Sequence, residues 1–133
     1  MRNFYFFVFF FLLALFTLHS SVARAAEIFF GVHNPSIGIG SIFEVGVFLK
    51  TEGENINAVE GTILFPNDLV GLTEVRDGNS LVSLWVKKPQ ANVTTQEAEE
   101  ISFSGLVPGG FTGEDGYLFS LFFEARQQGQ VRI

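Results

Sequence analysis

No cysteine occurs in this chain, which excludes a disulfide framework and any thiolate metal site. Histidine is almost as scarce, with only His19 and His33 in 133 residues. That leaves little for nucleophile–imidazole catalysis, which needs a histidine held by a partner. Positive charge is short as well: 8 Lys+Arg face 14 Asp+Glu, for a net −6. Such a balance argues against nucleic acid or anionic lipid as a partner, because both are held by a basic surface. One Trp and two Tyr restrict any sugar-stacking strip to Trp85, Tyr117 and exposed Phe side chains. No second long apolar run follows Leu18, so no further membrane-spanning helix is expected within the chain.

What is present begins at the N-terminus. Met1-Arg2-Asn3 is a short positive start, Phe4 to Leu18 is almost unbroken hydrophobe, and Ser20 to Ala26 is rich in small residues. This is the order of a secretory signal peptide. The apolar run is about 15 residues, against roughly 20 for a spanning helix. Ala23 and Ala25 suit the small-residue pockets of signal peptidase, which puts the cut between Ala25 and Ala26. The chain divides accordingly into a signal at 1–25 and one domain at 26–133. The alternative is a retained N-terminal anchor. Either places the domain outside the cytoplasm, secreted or on the cell surface. Removal of Arg2 and Arg24 leaves 6 Lys+Arg against 14 Asp+Glu, a net −8.

The remaining residues read as strands and turns. Phe43 to Lys50 alternates, with Phe43, Val45, Val47 and Leu49 on one face. Ile56 to Phe65 sets Val59, Gly61, Ile63 and Phe65 against Ala58, Glu60, Thr62 and Leu64. That period of two is the mark of a half-buried strand. Further strands are expected at Glu27–Val32, Leu69–Val75, Leu81–Val86, Glu100–Gly105 and Tyr117–Ala125, with one beginning at Val131. Gln90 to Glu99 is expected as a polar loop after Pro89, and Val107 to Gly116 as a glycine-rich loop. About eight short strands with Gly, Pro, Asn and Asp between them predict an all-β antiparallel sandwich or barrel. A strand opening at Val131 and stopping at Ile133 suggests a piece of a longer protein with its last strand missing, the alternative being a genuine end with a frayed last strand.

Candidate chemistry is sparse. His33 beside Asn34-Pro35 reads as a surface turn residue. Glu97, Glu99 and Glu100 form one acidic group and Glu114-Asp115 another, but a glycosidase pair must face across a cleft. Asp77-Gly78-Asn79 and Glu114-Asp115-Gly116 carry oxygen ligands without the spacing of a calcium loop, so turn chemistry explains both. Asn92-Val93-Thr94 has the form of a glycosylation sequon. Pro108 to Gly113 lacks the Lys-Ser/Thr ending of a phosphate loop. No catalytic residue, cofactor or metal is expected.

Several patterns occur in order. Phe43-Glu44-Val45 is followed by Ile56-Asn57-Ala58-Val59-Glu60-Gly61, then Phe65-Pro66 and Leu69. Val75, Gly78-Asn79-Ser80, Ile101-Ser102-Phe103, Gly116-Tyr117-Leu118-Phe119 and Phe122-Phe123-Glu124-Ala125 complete the series. Over roughly Glu27 to Ile133 this resembles the cohesin family, and more closely the cohesin-like modules of exported bacterial envelope proteins. The resemblance implies a nine-stranded jelly-roll sandwich related in fold to carbohydrate-binding modules. Its family role is binding a calcium-loaded dockerin module, which assembles polysaccharide-degrading enzymes.

Cohesins bind dockerin on one sheet face that includes the strand matching Ile56–Phe65. The resemblance therefore makes outward Ala58, Glu60 and Thr62 candidates for partner binding. Ser102 and Ser104 join them from the Glu100–Gly105 strand, with Leu84 or Trp85 as an apolar anchor, whichever points outward. The family often has Asn-x-Asp where this chain has Ala58 and Glu60, so the acid is matched in type and the amide is lost. Gly40-Ser41-Ile42 stands where the family commonly has Gly-Asp-Thr. The expected function is a non-enzymatic module that binds a dockerin-like protein. The alternatives are a carbohydrate-binding module that takes polysaccharide, and a structural or adhesin spacer. Membrane contact is expected only through the signal or an anchor beyond Ile133.

Overall fold

Seven strands form two antiparallel sheets packed face to face, a β-sandwich. The computed structural model describes residues 26–33, 36–93 and 98–131. The expected signal and its cleavage residues Ala23 and Ala25 lie outside the described residues, and Ala26 is an exposed residue just before the first strand. The strands are β1 (Glu27–Val32), β2 (Ile42–Lys50), β3 (Ile56–Pro66), β4 (Val70–Arg76), β5 (Leu84–Val93), β6 (Ala98–Phe111) and β7 (Gly116–Ala125). One sheet runs β1-β2-β7-β4 and the other β3-β6-β5. β1–β2 and β5–β6 are sequential pairs within one sheet, while β2–β3, β3–β4, β4–β5 and β6–β7 cross between sheets.

The alternation dictates the core. Val45, Val47 and Leu49 of β2 and Val59, Ile63 and Phe65 of β3 are buried. They meet Ile101 and Phe103 of β6 and the central strand β7, whose Phe119, Leu121 and Phe123 are fully buried. Phe119 joins the layers: its ring lies 4.9 Å from Phe103 and 6.1 Å from Trp85, both edge-on. Phe65 packs edge-on against Phe123 at 5.0 Å. Such edge-to-face pairs add to the area they bury.

Three expectations are corrected. β5 does not stop near Pro89 but runs on to Val93, so much of the expected polar loop is strand. Among the described residues β5 is an edge strand paired only with β6, and its register shifts at Trp85/Lys87 and again at Lys87/Gln90. A proline costs no ladder bond at such a bulged edge, and Pro89 turns inward and is buried. β6 runs through the expected glycine-rich loop to Phe111. Gly109 and Gly110 sit at φ 86° and 76°, which lets the strand bulge out and regain pairing at Ile56↔Phe111. Finally, Val131 is not in a strand, and the described residues hold seven strands rather than about eight; 132–133 lie outside them.

Candidate functional site

The outward face of the β3-β6-β5 sheet gathers most of the residues that the sequence singled out. Pairing fixes four rows across it. They are Ala58–Leu106–Leu84, Glu60–Ser104–Lys87, Thr62–Ser102–Gln90 and Leu64–Glu100–Asn92. Ala58, Glu60 and Thr62 are exposed, and Ser102 and Ser104, from the middle strand, are half-buried. Ser102 Oγ lies 3.4 Å from Glu100 Oε1.

Trp85 is the exception. It does not stand on this face, because its ring turns inward onto Phe119. Leu84 is the outward residue. The alternation had put the two on opposite faces without saying which was which. The core decides, since Trp85 lines the inner side opposite Gly105, where an added Cβ would lie 3.0 Å from the indole.

Large apolar side chains ring the hydroxyls. Leu64 (56% exposed), Leu84 (57%), Val86 (73%) and Leu106 (40%) are exposed on β3, β5 and β6. Leu106 was missed because β6 was expected to end at Gly105. Extending the alternation from Ser102 and Ser104 by two residues would have found it. The face thus has a short polar band of Glu60, Thr62, Ser102, Ser104, Lys87 and Gln90, with leucines at either end. It offers hydroxyl donors and acceptors beside exposed apolar area.

The turn before β5 is tied down electrostatically. Lys88 Nζ lies 2.9 Å from Asp77 Oδ2. The Lys88 ammonium holds the Asp77 carboxyl below its ordinary value of 3.8, helped by the Asp77 backbone N–H and the Trp85 indole, against a smaller effect of burial. A carboxyl with a depressed folded pKa stabilises the fold above its unfolded pKa, and that contribution is lost as pH falls through the folded value. We expect Asp77→Asn to lower the melting temperature slightly at pH 7 and not at all at about pH 2, the exposed pair being a weak one. Equal losses at both pH values would contradict this. The same contact gives Asp77 a structural partner. Among the described residues no group of three or more His, Asp or Glu is placed to hold a metal ion.

The outer face of the other sheet is aromatic. Phe29 stacks on Phe48 at 5.4 Å, and Tyr117 meets Phe48 edge-on at 5.8 Å. The Phe48 ring lies over the paired Gly31 and Gly46, where an added Cβ would come within 3.0 Å and 2.5 Å of it. Beside them Ser120 Oγ donates to Glu44 Oε1 at 2.6 Å, and Arg76 stacks over Phe122 at 4.2 Å. At one end of the sandwich an open cleft of about 710 Å³ is lined by Val32, Ile39, Phe43, Leu69 and Val131, among others. His33 is exposed near that end, and Glu97 lies outside the described residues.

No family model matches the chain, and no curated protein or solved structure matches it either.

Proposed function

We propose that the chain is a non-catalytic, cohesin-like interaction module of an exported protein, which binds a dockerin-like protein through the outer face of β3-β6-β5. One observation carries this reading: Leu64, Leu84 and Leu106 are exposed on the same sheet face as the outward hydroxyls and Glu60. Single exposed apolar residues are ordinary, but a cluster around a polar band marks a contact surface. The resemblance had pointed to the β3 strand for its own reasons, and the exposed leucines lie beside it. A jelly-roll reading is supported by the four crossovers between sheets and by β7 lying between β2 and β4.

The test is a panel of calcium-loaded dockerin modules presented to the immobilised, folded chain. Capture of at least one, lost on chelating calcium and weakened roughly tenfold by Glu60→Arg, is expected for a charge inside the contact. Retention of none by a folded chain would sink the proposal.

A second reading, a carbohydrate-binding module, draws on the Phe29–Phe48–Tyr117 cluster. Rings on a sheet face offer apolar area on which a pyranose can stack. Retention on insoluble polysaccharide that Phe48→Ala abolishes, with no dockerin captured, would favour it.

A further inference from the structure

The four sheet edges are not built alike. β1 is a six-residue edge that contains Gly31. β4 is seven residues long, shifts register at Leu72/Glu74 and carries the paired charges Glu74 and Arg76. β5 carries two register shifts, Lys87, Lys88 and Pro89. Short length, bulges, charges and proline are the usual means of keeping an edge from pairing. β3 has a register shift at Ile56/Ala58 and Pro66 only at its two ends, and its middle is unguarded except for Glu60. It is 11 residues long, and from Ala58↔Leu106 to Pro66↔Ala98 its pairing runs without a shift. Glu60 is its one charge, and among the described residues it pairs with β6 alone.

We infer that the free edge of β3 pairs antiparallel with β3 of a second copy, joining two three-stranded sheets into one of six strands. The second copy is argued from how β3 complements itself. A two-fold axis at Gly61 sets Val59 against Ile63 of the other copy on the inner side. On the outer side it sets Ala58 against Leu64 and Glu60 against Thr62. Between Ala58 and Leu64 apolar meets apolar and no like charges face each other, and Asn57, which falls opposite Phe65, lies in the bulged start of the strand. An axis at Glu60 would bring the two carboxylates together, and an axis at Thr62 would set Glu60 against Leu64. A register one residue off would oppose inward and outward side chains, which a buried face forbids. The contact is isologous and closes on itself, so it gives a dimer and no fibre. Self-pairing uses the edge of β3 whereas partner binding uses its outer face, so either can fail alone.

The test is sedimentation equilibrium on residues 26–133, which hold the whole described core, from about 10 μM to 1 mM, the range suited to a small interface. The expected result is a mass that doubles with concentration. Thr62→Glu puts two pairs of carboxylates face to face and is expected to raise the dissociation constant roughly tenfold. Thr62→Lys puts ammonium against Glu60 and keeps the dimer. The double variant Glu60→Lys with Thr62→Glu restores it, which also guards against a fold defect in Thr62→Glu alone. A monomer throughout the range would overturn the proposal. So would equal weakening by Thr62→Glu and Thr62→Lys, because that is the signature of another register or another surface.

Discussion

Phe119→Ala is expected to cost about 3–5 kcal/mol of stability, the range for a large ring removed from a packed core. The side chain is fully buried on the central strand of one sheet, and it touches Phe103 and Trp85 of the other. Its loss opens a cavity between the layers and removes two edge-to-face contacts together. A domain of this size has roughly 5–15 kcal/mol in total, so the variant retains only part of that margin. The melting temperature is expected to fall by roughly 15 °C or more. Trp85 is the chain's one tryptophan, so its fluorescence reports the same event locally. A melting point within a few degrees of the parent would mean that the two sheets do not depend on this ring.

Under the proposed function, Leu84→Asp combined with Leu106→Asp is expected to do the reverse, sparing stability and removing binding of the proposed partner. The two side chains are adjacent on neighbouring strands, at 57% and 40% exposure, and point away from the core. Exposed substitutions of this kind usually change stability by about 0.5 kcal/mol or less. Carboxylates placed among the apolar anchors of a contact surface cost far more, about 2 kcal/mol or above at a hot spot, or roughly 30-fold in affinity. Titration of the captured partner against the parent and the double variant measures it. Unchanged affinity at an unchanged melting temperature would move the contact off this face.

Most strand faces could be read directly from the residues. Val45, Val47 and Leu49 recur at every second position of a single strand, opposite Glu44, Gly46, Phe48 and Lys50, and they are buried as expected. The same holds for Val59, Ile63 and Phe65. The errors cluster on β5 and β6. Pro89 reads as a strand end because a proline removes a ladder donor, but that rule depends on whether the strand has a neighbour on both sides. Gly109 and Gly110 were taken as a loop because glycine favours positive φ, and they do adopt it, but within a bulged strand. Leu106 was lost with the far half of β6, and with it one end of the candidate site.

The all-β class and the inward residues of β2 and β3 are legible in the residue pattern, because a period of two is a local property of the backbone. The pattern also placed Ala58, Glu60, Thr62, Ser102 and Ser104 on outward positions. Only the tertiary structure decided that these share one face, since Ala58 meets Leu106, and Leu106 meets Leu84, through pairings distant in the chain. It alone turned Trp85 inward and Leu84 outward, because alternation separates two faces but burial against another sheet chooses between them. It alone distinguished the edge of β5, bulged and charged, from that of β3, which among the described residues pairs with β6 alone. An edge is defined by the strand that is not beside it, and no local pattern records that.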